Sequence, residues 1–316
     1  MNYIKNNINR KKINNKIMVD KVVKNIFKGV TFLCASIIVI IVVFIGIKGI
    51  SPFFKDYNVN GSFYKVSLLE FMTGNTWFVQ PNHYGIGYII VNTFYIVVLA
   101  TLIAVPISVL TALFVSKIAP VRVSKVIQTV IELLASIPSI IYGVFGKGVI
   151  AVMVKNTSSF FGYQSAGGIS TISTVLVLAI MIIPTVTMLS ITSINAVKKE
   201  LVHGSLALGA SVTQTNFKVV LTSAKSGIFS GIILGVGRAL GEATAISMVV
   251  GNSPSGPNFN LFDTTRTLTS TMLLGLKETT GLDYDIRFSV GIVLIIIILI
   301  TNYLLNFVKR KIGGIQ

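Results

Sequence analysis

Apolar residues come in long unbroken runs along this chain, and charged residues come in short blocks between them. From Lys155 to Lys198 there are 42 intervening residues without a charge, and from Arg287 to Lys309 there are 21. A helix rises about 1.5 Å per residue, so about 20 apolar residues cross the hydrocarbon of a bilayer. The pattern predicts an all-α membrane protein with six transmembrane helices, at 30–47, 87–115, 126–154, 171–194, 227–250 and 286–308. An even number puts both termini on one side.

The spacers divide the chain further. Residues 1–29 form an Asn- and Lys-rich leader with too little apolar surface to fold alone, and are expected to be flexible. Residues 30–86 comprise the first span and an external segment, 87–308 the helical core, and 309–316 a basic tail. The external segment carries Trp77, His83 and Tyr84, read as aromatic-type residues at headgroup depth. After the fifth span, Ser253-Pro254-Ser255-Gly256-Pro257-Asn258 breaks the helix, and a loop with a short amphipathic piece continues to Asp285.

The spacer 195–226 has the signals of a compact hairpin. Lys198 to Leu208 suits a helix, Gly209 supplies a left-handed stop, and Ser211 with Gln214 makes a capping box that opens a second helix through Phe217 and Val220. Leu206, Ala207, Leu208, Gly209 and Ala210 leave a small apolar knob at the bend, which either docks a protein partner or packs on its own bundle. Pro138 and Pro184 interrupt the third and fourth spans and are read as shaping residues. Around Pro138, small and hydroxylated residues including Ser136, Ser139, Tyr142 and Gly143 allow close helix contact and can satisfy freed carbonyls; a polar lining is the alternative.

Charge then orients the predicted spans. With the N-terminus inside, cytoplasmic segments hold 18 Lys and Arg and external ones 7, the bias that retention of basic residues produces. This explains most of the net charge of +17 without a nucleic-acid partner. The first span has a long basic leader and no small-residue cleavage site, so it reads as an uncleaved anchor at the plasma membrane. A single cysteine, Cys34, excludes an intrachain disulfide and a thiolate metal cluster. His83 and His203 fall on opposite faces, which leaves no histidine metal centre or Ser-His pair. No phosphate-cradling Gly-rich loop ending in Lys-Ser or Lys-Thr occurs, so the chain is no ATPase.

Two charges stand inside the fifth predicted span, Arg238 and Glu242. A charge at that depth costs about 2.5–3.5 kcal/mol on insertion scales, and such residues usually face a bundle interior or a wet path. Their i, i+4 spacing predicts one helical face, with the carboxylate placing a guanidinium that handles an anion. A buried ion pair that only fixes packing is the other reading. Glu132 and Lys147, 15 positions apart, lie over about 20 Å from each other on a continuous helix and are read as interfacial.

The hairpin and the fifth span together resemble the inner-membrane permeases of ABC importers, in particular the phosphate-specific PstC group, over residues 87 to 308. The family's ATPase-docking loop is matched by His203-Gly204-Ser205-Leu206-Ala207-Leu208-Gly209-Ala210, whose Leu-Ala-Leu-Gly-Ala half is intact and whose usual Glu-Ala-Ala half is replaced; a later Leu-Pro is here Leu221-Thr222. Gly237-Arg238-Ala239-Leu240-Gly241-Glu242 with Met248-Val249-Val250-Gly251-Asn252, and Ile137-Pro138-Ser139 with Tyr142-Gly143, complete the likeness. The resemblance implies a type I importer permease fold, with Arg238 and Glu242 on the substrate path and residues 206–210 coupled to the ATPase. It further implies a PstA-like permease, a pair of PstB-like ATPase subunits that bind ATP and magnesium, and an extracytoplasmic PstS-like phosphate-binding protein. No cofactor is expected in this chain itself.

An Arg-Glu pair does not by itself separate phosphate from sulfate or molybdate. An intramembrane enzyme acting on lipid phosphate groups would use Arg238 as a clamp, but no base or nucleophile is evident at its depth. A phosphate-sensing scaffold that moves no substrate is the third possibility, separable by reconstituted uptake.

Overall fold

The computed structural model describes residues 2–59, 61–78 and 83–313, and it divides into two compact units, Met1–Lys48 and Gly49–Gln316. The first unit is one stretch of helix, the main part of α1 (Asn2–Phe54). Its apolar portion has Ile37 to Val43 exposed on every side, the signature of a helix solvated by lipid. The leader expected to be flexible is helical from Asn2, because a helix needs only hydrogen bonds internal to its own segment.

The second unit contains α2 (Leu68–Thr73), α3 (Gly87–Leu113), α4 (Val121–Ser136), α5 (Ser139–Phe145), α6 (Ala151–Phe160), α7 (Thr171–Asn195), α8 (Lys199–Ala207), α9 (Val212–Gln214), α10 (Leu221–Gly241), α11 (Thr244–Val249), α12 (Leu268–Leu273) and α13 (Leu282–Gly313). Two small antiparallel hairpins, β1 (Tyr57–Val59) with β2 (Ser62–Tyr64) and β3 (Trp77–Phe78) with β4 (His83–Tyr84), decorate one end. Among the described residues six helices are long and apolar enough to span a membrane, at Asp20–Phe54, Gly87–Ile118, Ser139–Phe160, Thr171–Asn195, Val212–Gly241 and Leu282–Lys311. The number matches the expectation; two of the boundaries do not.

The predicted third span, 126–154, is broken at Ile137 and Pro138, where both residues are extended. Pro138 supplies no N–H and disfavours helix in the residue before it, so α4 ends and α5 starts afresh. The membrane-length stretch is Ser139–Phe160, and Glu132 and Lys147 do not share one helix. The freed carbonyls find hydroxyls, as the small polar run suggested: Ser136 Oγ donates to Leu133 O at 2.7 Å and Tyr142 Oη to Leu134 O at 2.6 Å. Pro184 behaves differently. It is buried within an unbroken α7, whose neighbouring Ile183 carbonyl accepts from Thr187 Oγ1 at 2.7 Å and from Ser108 Oγ at 3.3 Å.

The core lies where α3, α7 and α10 meet, with Ile96, Ala100, Ala104, Leu178, Ile182, Val186, Ala239 and Leu240 buried together. Lipid offers no hydrophobic drive for such a cluster, so close approach and dispersion must hold it. Small residues provide the approach. Gly227, Gly231 and Gly235 recur every fourth residue on α10; a Cβ on Gly231 would meet Leu189 Cβ at 3.0 Å, and one on Gly235 would meet Val186 Cγ2 at 2.9 Å, both on α7. Gly143 serves α5 against α11 in the same way, its Cβ position being 2.6 Å from Met248 Sδ.

The end bearing the hairpins is a folded lobe. Trp77 and Tyr84 are buried in it and pack edge to face at 5.3 Å, so they are core residues of that lobe and not headgroup anchors. His83 remains exposed, 3.3 Å from Glu70. The loop after α11 is sewn in by Trp77 N to Pro254 O at 2.7 Å and Gly256 N to Asn75 O at 3.1 Å. The short amphipathic piece predicted there is α12, yet Leu268, Thr269, Ser270 and Thr271 are all buried. Its threonine and serine hydroxyls close onto its own backbone, including a capping box from Thr267 and Ser270, which permits burial of this first turn, while Leu273 at the other end is exposed.

Candidate functional site

Arg238 occupies the last turn of α10, and Glu242 is the residue at which that helix stops, with extended backbone at φ −72°, ψ 119°. The i, i+4 face expected from the sequence is therefore never completed. No ion pair joins the two side chains among the described residues. Glu242 instead turns its carboxylate forward, accepting the Ala245 N–H through Oε1 at 3.0 Å and so satisfying a free donor at the start of α11. The fifth predicted span is thus a long helix, Val212–Gly241, followed by a bend and α11.

Arg238 is held from another direction. Its Nη1 donates to Thr185 Oγ1 at 3.2 Å, next to Pro184 on α7. A guanidinium has five N–H donors, and this is the one that pairs with the protein among the described residues. Half-buried and otherwise uncommitted, Arg238 lines a groove of about 470 Å³ between α10 and α13, together with Ser230, Gly237, Asn302, Asn306 and Lys309. A charge in this setting is expensive unless water or a counter-ion reaches it. Proximity of α7, α10 and α13 is what builds the site, and only Arg238 of it stood out in the sequence.

At the opposite end from the folded lobe, α8 and α9 form the expected hairpin. Gly209 has φ +82°, the left-handed conformation that ends a helix without steric cost. Ser211 Oγ accepts from Gln214 N at 3.2 Å while Gln214 Oε1 accepts from Ser211 N at 3.0 Å, a complete capping box. Ser205 and Thr215 hydroxyls, 2.9 Å apart, pin the two arms. The bend between them projects Leu208, 91% exposed, and Leu206, 41% exposed, with Ala207 and Gly209 exposed and Ala210 half-buried. The knob therefore does not pack onto its own bundle.

Residues 104–313 match the model of a protein family described as binding-protein-dependent transport system inner membrane component. The chain belongs to that family. A probable ABC transporter permease of Bacillus subtilis, YqgH, is 36% identical over 280 residues, covering 86% of this chain and 85% of its own. The phosphate transport system permease protein PstC of Pasteurella multocida is 33% identical over 77% of this chain and 82% of its own. Among solved structures, a bacterial alginate ABC transporter in complex with a periplasmic protein carrying an alginate pentasaccharide shares the fold, with a TM-score of 0.53 and 18% identity over 71% of this chain and 78% of that one. The methionine transporter MetNI in an inward-facing form superposes at a TM-score of 0.50 with 18% identity, over 72% and 94% of the respective chains. The fold is that of an ABC importer permease, and the protein is a multi-pass membrane transport subunit.

Two features escaped the sequence reading. Arg266 is 7% exposed in the lobe, giving Nε to Ser253 O at 2.9 Å and Nη2 to Asn252 O at 2.8 Å, with its plane 6.0 Å from the Trp77 ring centre. Arg287 is 5% exposed and donates through Nη1 to Thr271 O at 2.8 Å. Both fall within the external share of basic residues, and only the fold shows them inside. The other omission is the stripe of Gly227, Gly231 and Gly235, whose four-residue spacing was legible from the start.

Proposed function

We propose that this chain is the permease subunit of an ATP-driven importer of inorganic phosphate in the plasma membrane, with both termini cytoplasmic. The observation that carries the reading is Arg238: a guanidinium in a membrane-length helix, anchored by one hydrogen bond, with its remaining donors turned to a groove. Planar paired donors suit two oxygens of a tetrahedral oxyanion. The likeness to phosphate permeases, at 28–34% identity across several bacteria and an archaeon, favours phosphate over sulfate or molybdate.

In this reading a PstS-like binding protein delivers phosphate to the lobe face, and a PstA-like permease completes the passage. A pair of PstB-like subunits binds ATP and magnesium and performs the hydrolysis. Leu206 to Ala210 dock on those subunits, and closure on ATP moves the hairpin, whose arms run into α7 and α10. Arg238 gives the anion a transient foothold. Glu242 serves the path indirectly, by holding the bend at which α10 gives way to α11. Binding that is weak and replaceable suits passage.

Proteoliposomes carrying the assembled transporter test this. Phosphate uptake should require ATP and the binding protein, with sulfate and molybdate failing to compete. Arg238→Ala should lower uptake about 100-fold, and Arg238→Lys, which keeps the charge but not the fork, about tenfold. Unchanged uptake in both variants sinks the assignment of Arg238, and uptake of sulfate in place of phosphate sinks the substrate.

A further inference from the structure

The groove between α10 and α13 does not end at Arg238. Its lining continues along both helices to Ser230 on α10 and to Lys309 on α13, eight and seven residues from the Arg238 and Asn302 level. At about 1.5 Å per residue this is a course of roughly 10–12 Å. α10 begins directly after the α8–α9 hairpin and α13 runs back toward that end, so the course leads from Arg238 toward the hairpin face. Asn302, Asn306 and Lys309, spaced by four and three, stand on one face of α13.

We propose that Lys309, with Asn306 and Asn302, forms a second oxyanion station, between Arg238 and the hairpin face. Resting on the anion-transport reading above, it specifies the route by which the ion leaves Arg238. Asn302 is level with Arg238: its Oδ1 lies 3.6 Å from where a Cβ on Gly237 would sit, so the missing side chain of Gly237 keeps the groove open there. Asn306 is fastened by Nδ2 to the Asn302 carbonyl at 2.9 Å, which fixes its amide on the groove wall. Lys309 closes the far end. No carboxylate lines the groove, and none pairs with Lys309 among the described residues. Lys311, two residues on, has its ammonium over the Phe307 ring at 5.1 Å instead.

A groove with a cation at each end, two amides and a serine set among the aliphatic Ile233, Leu234 and Ile298, and no acid along it repels small cations and holds an anion at either end. Two stations in series let an ion move without a single deep well, the condition for release. The chemistry recognised is a phosphate-type oxyanion, which could belong to free phosphate or to a lipid headgroup. Free phosphate is the ligand the station is proposed to hold.

The test uses the assembled transporter with Cys34→Ser and Asn306→Cys, in vesicles of phosphatidylcholine alone and in vesicles enriched in phosphatidylglycerol. Inorganic phosphate should slow the labelling of the introduced thiol by a methanethiosulfonate reagent in both. Lys309→Gln should reduce phosphate uptake about tenfold at an unchanged level of assembled complex, and Lys309→Arg should restore it. Labelling slowed by phosphatidylglycerol and indifferent to phosphate assigns the groove to lipid and overturns the station. Indifference to both, or normal uptake by Lys309→Gln, overturns it as well. If Arg238→Ala still abolishes uptake in those cases, the transport reading survives its loss. A wild-type transporter that takes up no phosphate removes both.

Discussion

Arg238 and Arg266 are the same side chain put to opposite uses. Arg266 gives Nε and Nη2 to the backbone carbonyls of Ser253 and Asn252 and lies along Trp77, so it fastens the loop after α11 to the lobe. Burial pulls its guanidinium below the ordinary arginine value, partly offset by the nearby Tyr88. Arg238 has one side-chain partner and an open groove. A buried arginine tied to two backbone carbonyls acts as a fastening, whereas one with a single hydrogen bond at membrane depth keeps its cost until a ligand or water meets it.

Exchange of each for leucine breaks the comparison most sharply. Arg266→Leu leaves the half-buried Asn252 carbonyl without its partner and Ser253 O with only Tyr88 Oη, at 3.0 Å, and should lose about 1–3 kcal/mol, seen as a lower melting temperature of the purified chain and poor recovery of the complex. Arg238→Leu should keep stability within about 1 kcal/mol, since one hydrogen bond is lost, while uptake falls about 100-fold. Equal destabilisation by both would erase the distinction.

Overpacking supplies the next contrast, between a helix contact and a groove wall on the same α10. Gly235→Leu drives a side chain into Val186 and Ile182 and should cost about 1–3 kcal/mol in thermal melts. Gly237→Ala meets only ordinary contact with Asn302 and should leave melting unchanged.

At the other end, Leu208→Asp places a charge on the knob without touching a buried contact, because Leu208 is 91% exposed. Co-purification of the ATPase should weaken about tenfold, with melting of the permease unaffected. Normal co-purification would remove the docking role from the bend.

The smallest effect concerns the lobe alone. Tyr57 donates to Asp285 Oδ2 at 2.6 Å and Tyr84 to Asp283 Oδ1, and burial first, then those carboxylates, push both phenols well above the ordinary tyrosine value. The unfolded chain releases these protons near pH 10 and the folded lobe does not, so stability falls as pH rises from there toward the folded values. Tyrosinate absorbance should lose one late-titrating group in Tyr57→Phe and another in Tyr84→Phe. Ordinary titration of all tyrosines would contradict the lobe's packing.

Particular residues show where sequence reasoning reached. The hairpin was legible because its determinants are local: Gly209 needs only its own left-handed φ, and Ser211 and Gln214 cap each other across three residues. The break at Pro138 was local too, but its consequence was misplaced, since apolarity continues across 126–154 and a hydropathy run does not register a missing N–H. Arg238 and Glu242 were paired on paper by helical spacing, an inference that holds only while the helix continues, and α10 ends between them.

From composition and order of residues alone followed the membrane, the six spans, the absence of a phosphate cradle and the hairpin, for these depend on transfer of apolar segments from water and on bonds within a few residues. Tertiary structure alone decided which arginine is tied into the lobe and which faces a groove, that Leu268 to Thr271 are buried, and that Asn302, Asn306 and Lys309 share a groove with Arg238. Hydrogen-bond completion is a property of neighbours brought from distant parts of the chain, and no periodicity within one segment encodes who those neighbours are.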